Sequence, residues 1–275
     1  MTAPLDGIQS ELLKTRAAFD ASAPSYDDAY ETLDGARFNR RAIQSIISRY
    51  FERGTRILEI NCGTGTDAIA LARQGVHVLA TDVSSAMIAR VEKKVRDQDL
   101  TAFVHTRQLA FEQLDLLESG TFDGCLSNLG GLNCAMSLAP VARQVSRVTK
   151  PGSCIIAVVM NRWSVWEMVS FLLRGNVRGA FRRAKGEALA KIGEHVIRVQ
   201  YYSPSAFVGC FQPWFSPVEI TGINIFTPSP GSTVANSLLR PLLPALRQLE
   251  RVLSLHYPFN CMGDHFCAVL RRTGE

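Results

Sequence analysis

The stretch that most constrains the fold is Ile57-Leu58-Glu59-Ile60-Asn61-Cys62-Gly63-Thr64-Gly65-Thr66-Asp67. A short apolar run breaks into Gly-x-Gly and opens a helix, a junction that lets a ligand lie against bare backbone. A second apolar run, Val76-His77-Val78-Leu79-Ala80-Thr81, ends on Asp82. A carboxylate there can accept from both hydroxyls of a ribose. The pair of runs predicts a parallel α/β sheet with a nucleoside site at the carboxyl ends of its strands.

Two ligand classes use this arrangement. Gly63-x-Gly65-x-x-Ala68 formally satisfies the dinucleotide fingerprint. Glu59 argues against that ligand, because a carboxylate before the turn repels a pyrophosphate that wants amide donors and a helix N-terminus. S-adenosylmethionine has no phosphate and brings two cationic groups, a sulfonium and an ammonium. The acid favours it.

From here the chain resembles the class I S-adenosylmethionine-dependent methyltransferases. Glu59-x-Asn61-Cys62-Gly63-Thr64-Gly65 is similar to the family's first motif and Asp82-Val83-Ser84 with Met87 to its second. Phe122-Asp123 leading to Ser127-Asn128 resembles the approach to its fourth strand, and Lys150-Pro151-Gly152 before Ile155–Val159 the turn and fifth strand. Upstream, Phe19-Asp20-Ala21-Ser22-Ala23-Pro24-Ser25-Tyr26-Asp27 resembles a segment of the branch that contains quinone-biosynthesis methyltransferases. The blocks come in the family's order.

The resemblance implies an α/β fold: a doubly wound, mostly parallel seven-stranded sheet with an antiparallel last strand, plus inserted cap elements. It implies S-adenosylmethionine as cofactor. A chain of 275 residues with 47% hydrophobic content can form one such domain. The expected division is an N-terminal lid (1–35), a cofactor core (36–159), cap insertions (160–215 and 229–263) over the substrate pocket, and a final strand (264–271).

No run is long enough to span a membrane, and Met1–Ser10 lacks the pattern of a secretory signal. Seven scattered cysteines without a Cys-x-x-Cys pair suit reduced thiols in the cytoplasm and argue against a zinc site.

Apolar runs predict strands near 56–60, 76–81, 102–107, 122–127 and 153–159, with helices near 36–52, 66–74, 84–97 and 136–148. Beyond these, 160–192 and 233–255 read as helical, while 195–202, 217–226 and 265–270 read as strands, the last joined to the sixth by a hairpin.

By resemblance, Gly63, Thr64 and Gly65 cradle the methionine and ribose, Glu59 acts on the methionine end, Asp82 holds the ribose, and Val83 and Met87 pack on adenine. Asn61, Asn128 and Leu129 complete the cofactor set, and Tyr26 closes over it as part of the lid. The family often carries an acid after the third strand for the adenine amino group. Here Leu109-Ala110 stand there, so Ala110 backbone and the Phe111 ring are the expected substitutes.

Methyl transfer relies on alignment and water exclusion, but a hydroxyl or acidic carbon acceptor also needs a base. His265, beside Asp264 at the start of the last strand, is the candidate catalytic residue. Asn133 and the cap aromatics Trp163, Trp166, Tyr201, Tyr202 and Trp214 are substrate-pocket candidates, although insertions also use aromatics to build their own core.

The basic run Arg174, Arg178, Arg182, Arg183, Lys185 and Lys191 suggests a charged helix face, either solvated or touching a membrane surface. Aromatic and basic residues lie in separate stretches, which argues against nucleic acid. The sequence thus points to a cytoplasmic methyltransferase for a small, largely apolar molecule (aromatic, isoprenoid or lipid-like), oxygen ahead of nitrogen or carbon as acceptor. An NAD(P)-dependent oxidoreductase and a non-catalytic cofactor-binding protein are the alternatives.

Overall fold

The computed structural model describes residues 5–31, 33–230 and 232–274. Parts of the expected lid (1–4 and 32) and of the second cap segment (231) lie outside them. The N-terminal helices are α1 (Leu5–Ser22), α2 (Tyr26–Glu31) and α3 (Asp34–Ile47). The core then alternates: β1 (Arg56–Ile60), α4 (Thr66–Arg73), β2 (His77–Asp82), α5 (Ser85–Asp97), β3 (Val104–Gln108), β4 (Phe122–Ser127), α6 (Leu138–Val148) and β5 (Thr149–Met160). The remainder comprises α7 (Val165–Leu173), α8 (Val177–Ala180), β6 (Glu187–Ile192), β7 (His195–Gln200), α9 (Pro204–Phe211), β8 (Phe215–Ile223), α10 (Thr233–Leu238), α11 (Leu243–Leu253) and β9 (His265–Arg272).

Seven strands form one sheet in the order β3-β2-β1-β4-β5-β9-β8. β9 is antiparallel to both neighbours, while the pairs among β1 to β5 are parallel. This is the doubly wound, mostly parallel seven-stranded sheet with an antiparallel last strand. Strand alternation separates the two cores. On β5, Cys154, Ile156 and Val158 face one cluster with Ile43, Ile69 and Val91, and Ile155, Ala157 and Val159 face another with Val141, Phe207 and Phe211. Switchover from β1 to the neighbouring β4 opens the crevice in which an α/β sheet takes its ligand.

The second half departs from expectation in three places. Residues 187–192 are a strand, not the end of a helix, and pair with β7 as a separate hairpin. Ala188, Ala190 and Ile192 alternate with the more exposed Glu187, Leu189 and Lys191, so period-two burial overrides the helix propensity of these residues. The basic run is therefore not one helix face: its members fall on the end of α7, on α8, on a tight turn at 182–185 and on β6. Finally, β8 and β9 are adjacent and antiparallel, but residues 224–264 connect them and carry α10 and α11, so they form no tight hairpin.

Candidate active site

The turn after β1 is shaped by sterics. Gly65 begins α4 at φ +78°, and a Cβ there would fall 2.7 Å from Val91 Cγ1 of α5, so only glycine lets the two helices close this tightly. Gly63 donates its backbone N–H to Asp82 Oδ2 at 3.0 Å, while Ser84 N–H donates to Oδ1 at 2.9 Å. Burial raises the Asp82 carboxyl above its ordinary range, and these two donors offset part of that. Each oxygen keeps a further lone pair for a ligand. Ser84 caps α5 by accepting from Met87 N–H, which fixes Met87 under the site.

A second turn meets the first. Ser127 donates to Asn61 Oδ1 at 2.8 Å, Asn61 Nδ2 donates to the Asn128 carbonyl, and Asn128 Nδ2 donates to Asp67 Oδ2 at 2.6 Å. A Cβ on Gly131 would sit 2.1 Å from Asn61 Cγ, so a glycine is needed there for this contact. Beneath the turns lies Glu59, fully buried, with Oε2 unpartnered among the described residues. Burial, then the charge of Asp67, pushes its carboxyl well above the usual range, with Arg40 offsetting part.

The N-terminal segment is tied to both turns. Asp20 accepts from Ser84 Oγ (2.6 Å) and Ala86 N–H (3.0 Å). Asp27 accepts from Thr64 Oγ1 and pairs with Arg90 (3.1 Å) and Lys94 (2.8 Å). Burial acts to raise both carboxyls, but their hydrogen bonds and cations outweigh it and hold both below their ordinary value. Tyr26 is thereby laid over the glycine turn, its Cε1 3.8 Å from where a Gly63 Cβ would stand.

These elements enclose a cavity of about 550 Å³, within the ordinary range for a small-molecule site. One end is walled by Tyr26, Asn61, Gly63, Asp82, Val83, Met87, Ala110, Phe111, Asn128 and Leu129. The other is walled by Glu11, Leu12, Thr15 and Phe19 of α1, Ala190, Lys191, Ile192, Ile197 and Val199 of the hairpin, and Met136, Met160, Ile223 and His265. His265 pairs with both Met160 and Ile223 across the strands. Its Nδ1 lies 3.1 Å from Asp264 Oδ2. Burial acts to raise the Asp264 carboxyl, but His265 and Arg183 prevail and hold it far below the carboxylate range.

A family model for a methyltransferase domain matches residues 57–152. An uncharacterized protein of Methanocaldococcus jannaschii, MJ1252, is 26% identical over 69% of this chain and 70% of its own length. The demethylmenaquinone methyltransferase of Clavibacter sepedonicus is 33% identical over 38% of this chain and 40% of its own length. The chain carries a class I S-adenosylmethionine-dependent methyltransferase domain. Among solved structures, the [4+2]-cyclase SpnF superposes with a TM-score of 0.64 over 95% of this methyltransferase and 96% of itself, at 14% identity. That likeness is one of fold alone.

The methyltransferase's own atoms fit S-adenosylmethionine. Uncompensated carboxylates surround the glycine turn: Asp82 at the wall and Glu59 with an orphaned oxygen beneath. The Asp82 charge disfavours a pyrophosphate and suits a cationic ligand, and Glu59 adds to that preference when ionised.

Ten of the thirteen predicted cofactor residues stand on the cavity wall; Glu59, Thr64 and Gly65 do not. Glu59 points toward α4 by strand alternation, Thr64 is turned to Asp27, and Gly65 is a helix start. Ala110 is on the wall; its N–H is taken by Gln113 Oε1, while its carbonyl accepts from Gln113 N–H and keeps a second lone pair. Glu112 also reaches the wall and was missed.

None of the six substrate-pocket candidates lines the cavity. Asn133 is fully buried and spent on backbone, donating to the Met160 and Gln200 carbonyls and accepting from Met160 N–H. Trp163 is 41% exposed and Trp166 half-buried on α7. Tyr201 stacks with Arg183, 4.8 Å from its ring centre. Tyr202 and Trp214 pack with Phe207 and Phe211 on the sheet. Burying each large ring is worth about 1.5–3 kcal/mol, enough to draw α9 onto the exposed sheet face rather than over the cavity. Sequence reasoning also missed the lining residues of α1 and the hairpin. The regular alternation in 187–200 was the available signal.

Proposed function

We propose that this methyltransferase acts on a small, largely apolar acceptor, an oxygen nucleophile ahead of nitrogen or carbon, with His265 as general base. The observation that carries the reading is the placing of His265. It is a titratable side chain held by the buried carboxylate of Asp264 on the wall of the same cavity that Asp82 lines. The Asp264 contact fixes Nδ1 as donor and leaves Nε2 to accept a proton. Bound S-adenosylmethionine supplies an electrophilic methyl on a positively charged sulfur. Asp82 holds the ribose, Val83 and Met87 lie against adenine, Phe111 covers its edge, and Glu112 accepts from the amino group. Asn61, Asn128 and Leu129 shape the methionine end, with Glu59 reaching it through water.

The apolar wall from α1 and the hairpin supports an acceptor with an aromatic or isoprenoid body, and the partial likeness to quinone-type methyltransferases is compatible with that. Tyr26 and α1 exclude water. His265→Ala is expected to lower kcat for a phenolic acceptor about 10²–10⁴-fold while S-adenosylhomocysteine binding stays unchanged. Unchanged turnover in that variant removes His265 from the reaction. No methyl transfer by the wild type to a panel of phenols and hydroquinones rejects the acceptor class.

A further inference from the structure

Helix α7 is built inside out. Of its nine residues seven are apolar, yet none is buried. At 3.6 residues per turn, Glu167 and Phe171 share one side, and Val169, Leu172 and Leu173 share the opposite side. The side with the acid faces the protein: Glu167 accepts from Arg182 and Arg183, and Phe171 lies so close beneath α8 that a Cβ on Gly179 would stand 2.6 Å from its ring. The leucine side faces solvent, with Leu173 83% exposed, Leu172 45% and Val169 41%. Val177 and Phe181 continue the exposed apolar surface. A helix held in place for core burial shows the reverse arrangement.

The surrounding charge is one-sided. Residues 161–186 contain six cations and a single acid, Glu167, and that acid is held by Arg182 and Arg183. Arg183 is itself buried against Asp264. Arg174, Arg178 and Lys185 stay exposed with no ion pair among the described residues.

We propose that 165–185 is a docking surface for an anionic lipid bilayer. Leu172, Leu173 and Val177 enter the boundary of the acyl chains, and Arg174, Arg178 and Lys185 meet the phosphates. Projecting leucines ringed by unneutralised cations match a surface that is apolar inside and anionic at its rim. The docking does not depend on the acceptor proposed above. Its use does: α7 follows directly from Met160 on the cavity wall, so docking brings the cavity beside a membrane-dissolved acceptor.

Flotation of the full chain with phosphatidylcholine vesicles, with and without phosphatidylglycerol, tests this. Binding is expected with phosphatidylglycerol at low salt, falling as salt rises, and weak with phosphatidylcholine alone. The double variant Leu172→Glu/Leu173→Glu is expected to lose roughly tenfold or more in partitioning, and Arg174→Gln/Arg178→Gln about fivefold for each cation. Both should bind S-adenosylhomocysteine like the wild type in calorimetry, which separates a failed surface from a failed fold or cofactor site. Absence of binding to anionic vesicles at low salt overturns the proposal, as does undiminished binding by the glutamate variant. A wild-type dimer in sedimentation velocity that this variant dissolves, without vesicle binding, assigns the patch to a second copy and also overturns it.

Discussion

Two buried carboxylates mark two kinds of region. Glu59, under the glycine turn, is surrounded by Asp67 and Asp82, keeps an oxygen without a partner, and has its carboxyl pushed well up by burial and by those acids. Asp264, at the start of β9, is as deeply buried but holds a low pKa, because His265 and Arg183 outweigh burial. The first cluster sets three carboxyls against the single Arg40; the second is neutralised by His265 and Arg183. Carboxyls in excess of their cations thus lie at the proposed cofactor site, whereas balanced charge surrounds the proposed base His265 and ties α7 to β9.

The largest test of that contrast falls on the scaffold. Arg183 ties Glu167 of α7, Asp264 and the Asn161 carbonyl together. Arg183→Met takes the arginine from the buried Asp264 carboxylate and leaves Glu167 to Arg182 alone, and is expected to destabilise the fold by about 3 kcal/mol, read by urea denaturation at neutral pH. The pH dependence has a definite sign. The folded pKa of Asp264 lies below its ordinary 3.8, so its stabilisation is complete above that value and is lost as pH falls through the folded pKa. The wild type should show this acid loss and Arg183→Met less of it, with the part due to His265 remaining. Equal acid sensitivity would contradict the assignment.

The next effect falls on the cofactor side. Asp82→Ala removes the ribose acceptor and strands the Gly63 and Ser84 N–H donors. With hydrogen bonds to charged groups worth about 1.5–3 kcal/mol each, S-adenosylhomocysteine affinity should fall by roughly 100-fold in calorimetry. A loss under threefold would mean that the ribose lies elsewhere.

The two regions also differed in how far they could be read from residues alone. Asp82, Gly63 and Met87 sit in contiguous motifs where local backbone geometry fixes each position, so strand, turn and helix start all fell where expected. Arg183 meets Asp264 across 81 positions, and nothing local announces that pairing. The basic run misled for a related reason: Gly175 and Gly186 fall between separate elements, and tertiary contacts take up two of its arginines. The cap aromatics report that something apolar must be covered, not which face. Tyr202 and Trp214 cover the sheet, while Trp163 and Trp166 lie at α7 and Tyr201 stacks on Arg183. The cavity roof comes instead from α1 and from small and branched residues of the hairpin; its second strand was expected, but the alternation of its first strand, 187–192, resembled a helix by composition. Asp20 and Asp27 stood inside a recognised segment, yet their roles needed partners 64 and 37 positions away.

The smallest expected effect is the most specific to the contrast. A raised folded pKa means that Glu59 keeps its proton to higher pH than an ordinary carboxyl, and a bound sulfonium and ammonium favour the ionised form. S-adenosylmethionine should therefore gain affinity relative to S-adenosylhomocysteine as pH rises through that pKa, since the product lacks the sulfonium charge. A coupling near the low end of the usual range predicts about a fivefold change in the affinity ratio. Glu59→Gln keeps shape and hydrogen-bonding capacity but cannot ionise, so its ratio should stay flat with pH. The same substitution removes a group whose stability contribution is complete below its unfolded pKa and lost as pH rises through the folded one, so the variant should be more stable than the wild type in mildly alkaline urea titrations. A wild-type ratio as flat as that of Glu59→Gln would place Glu59 with Asp264, as scaffold.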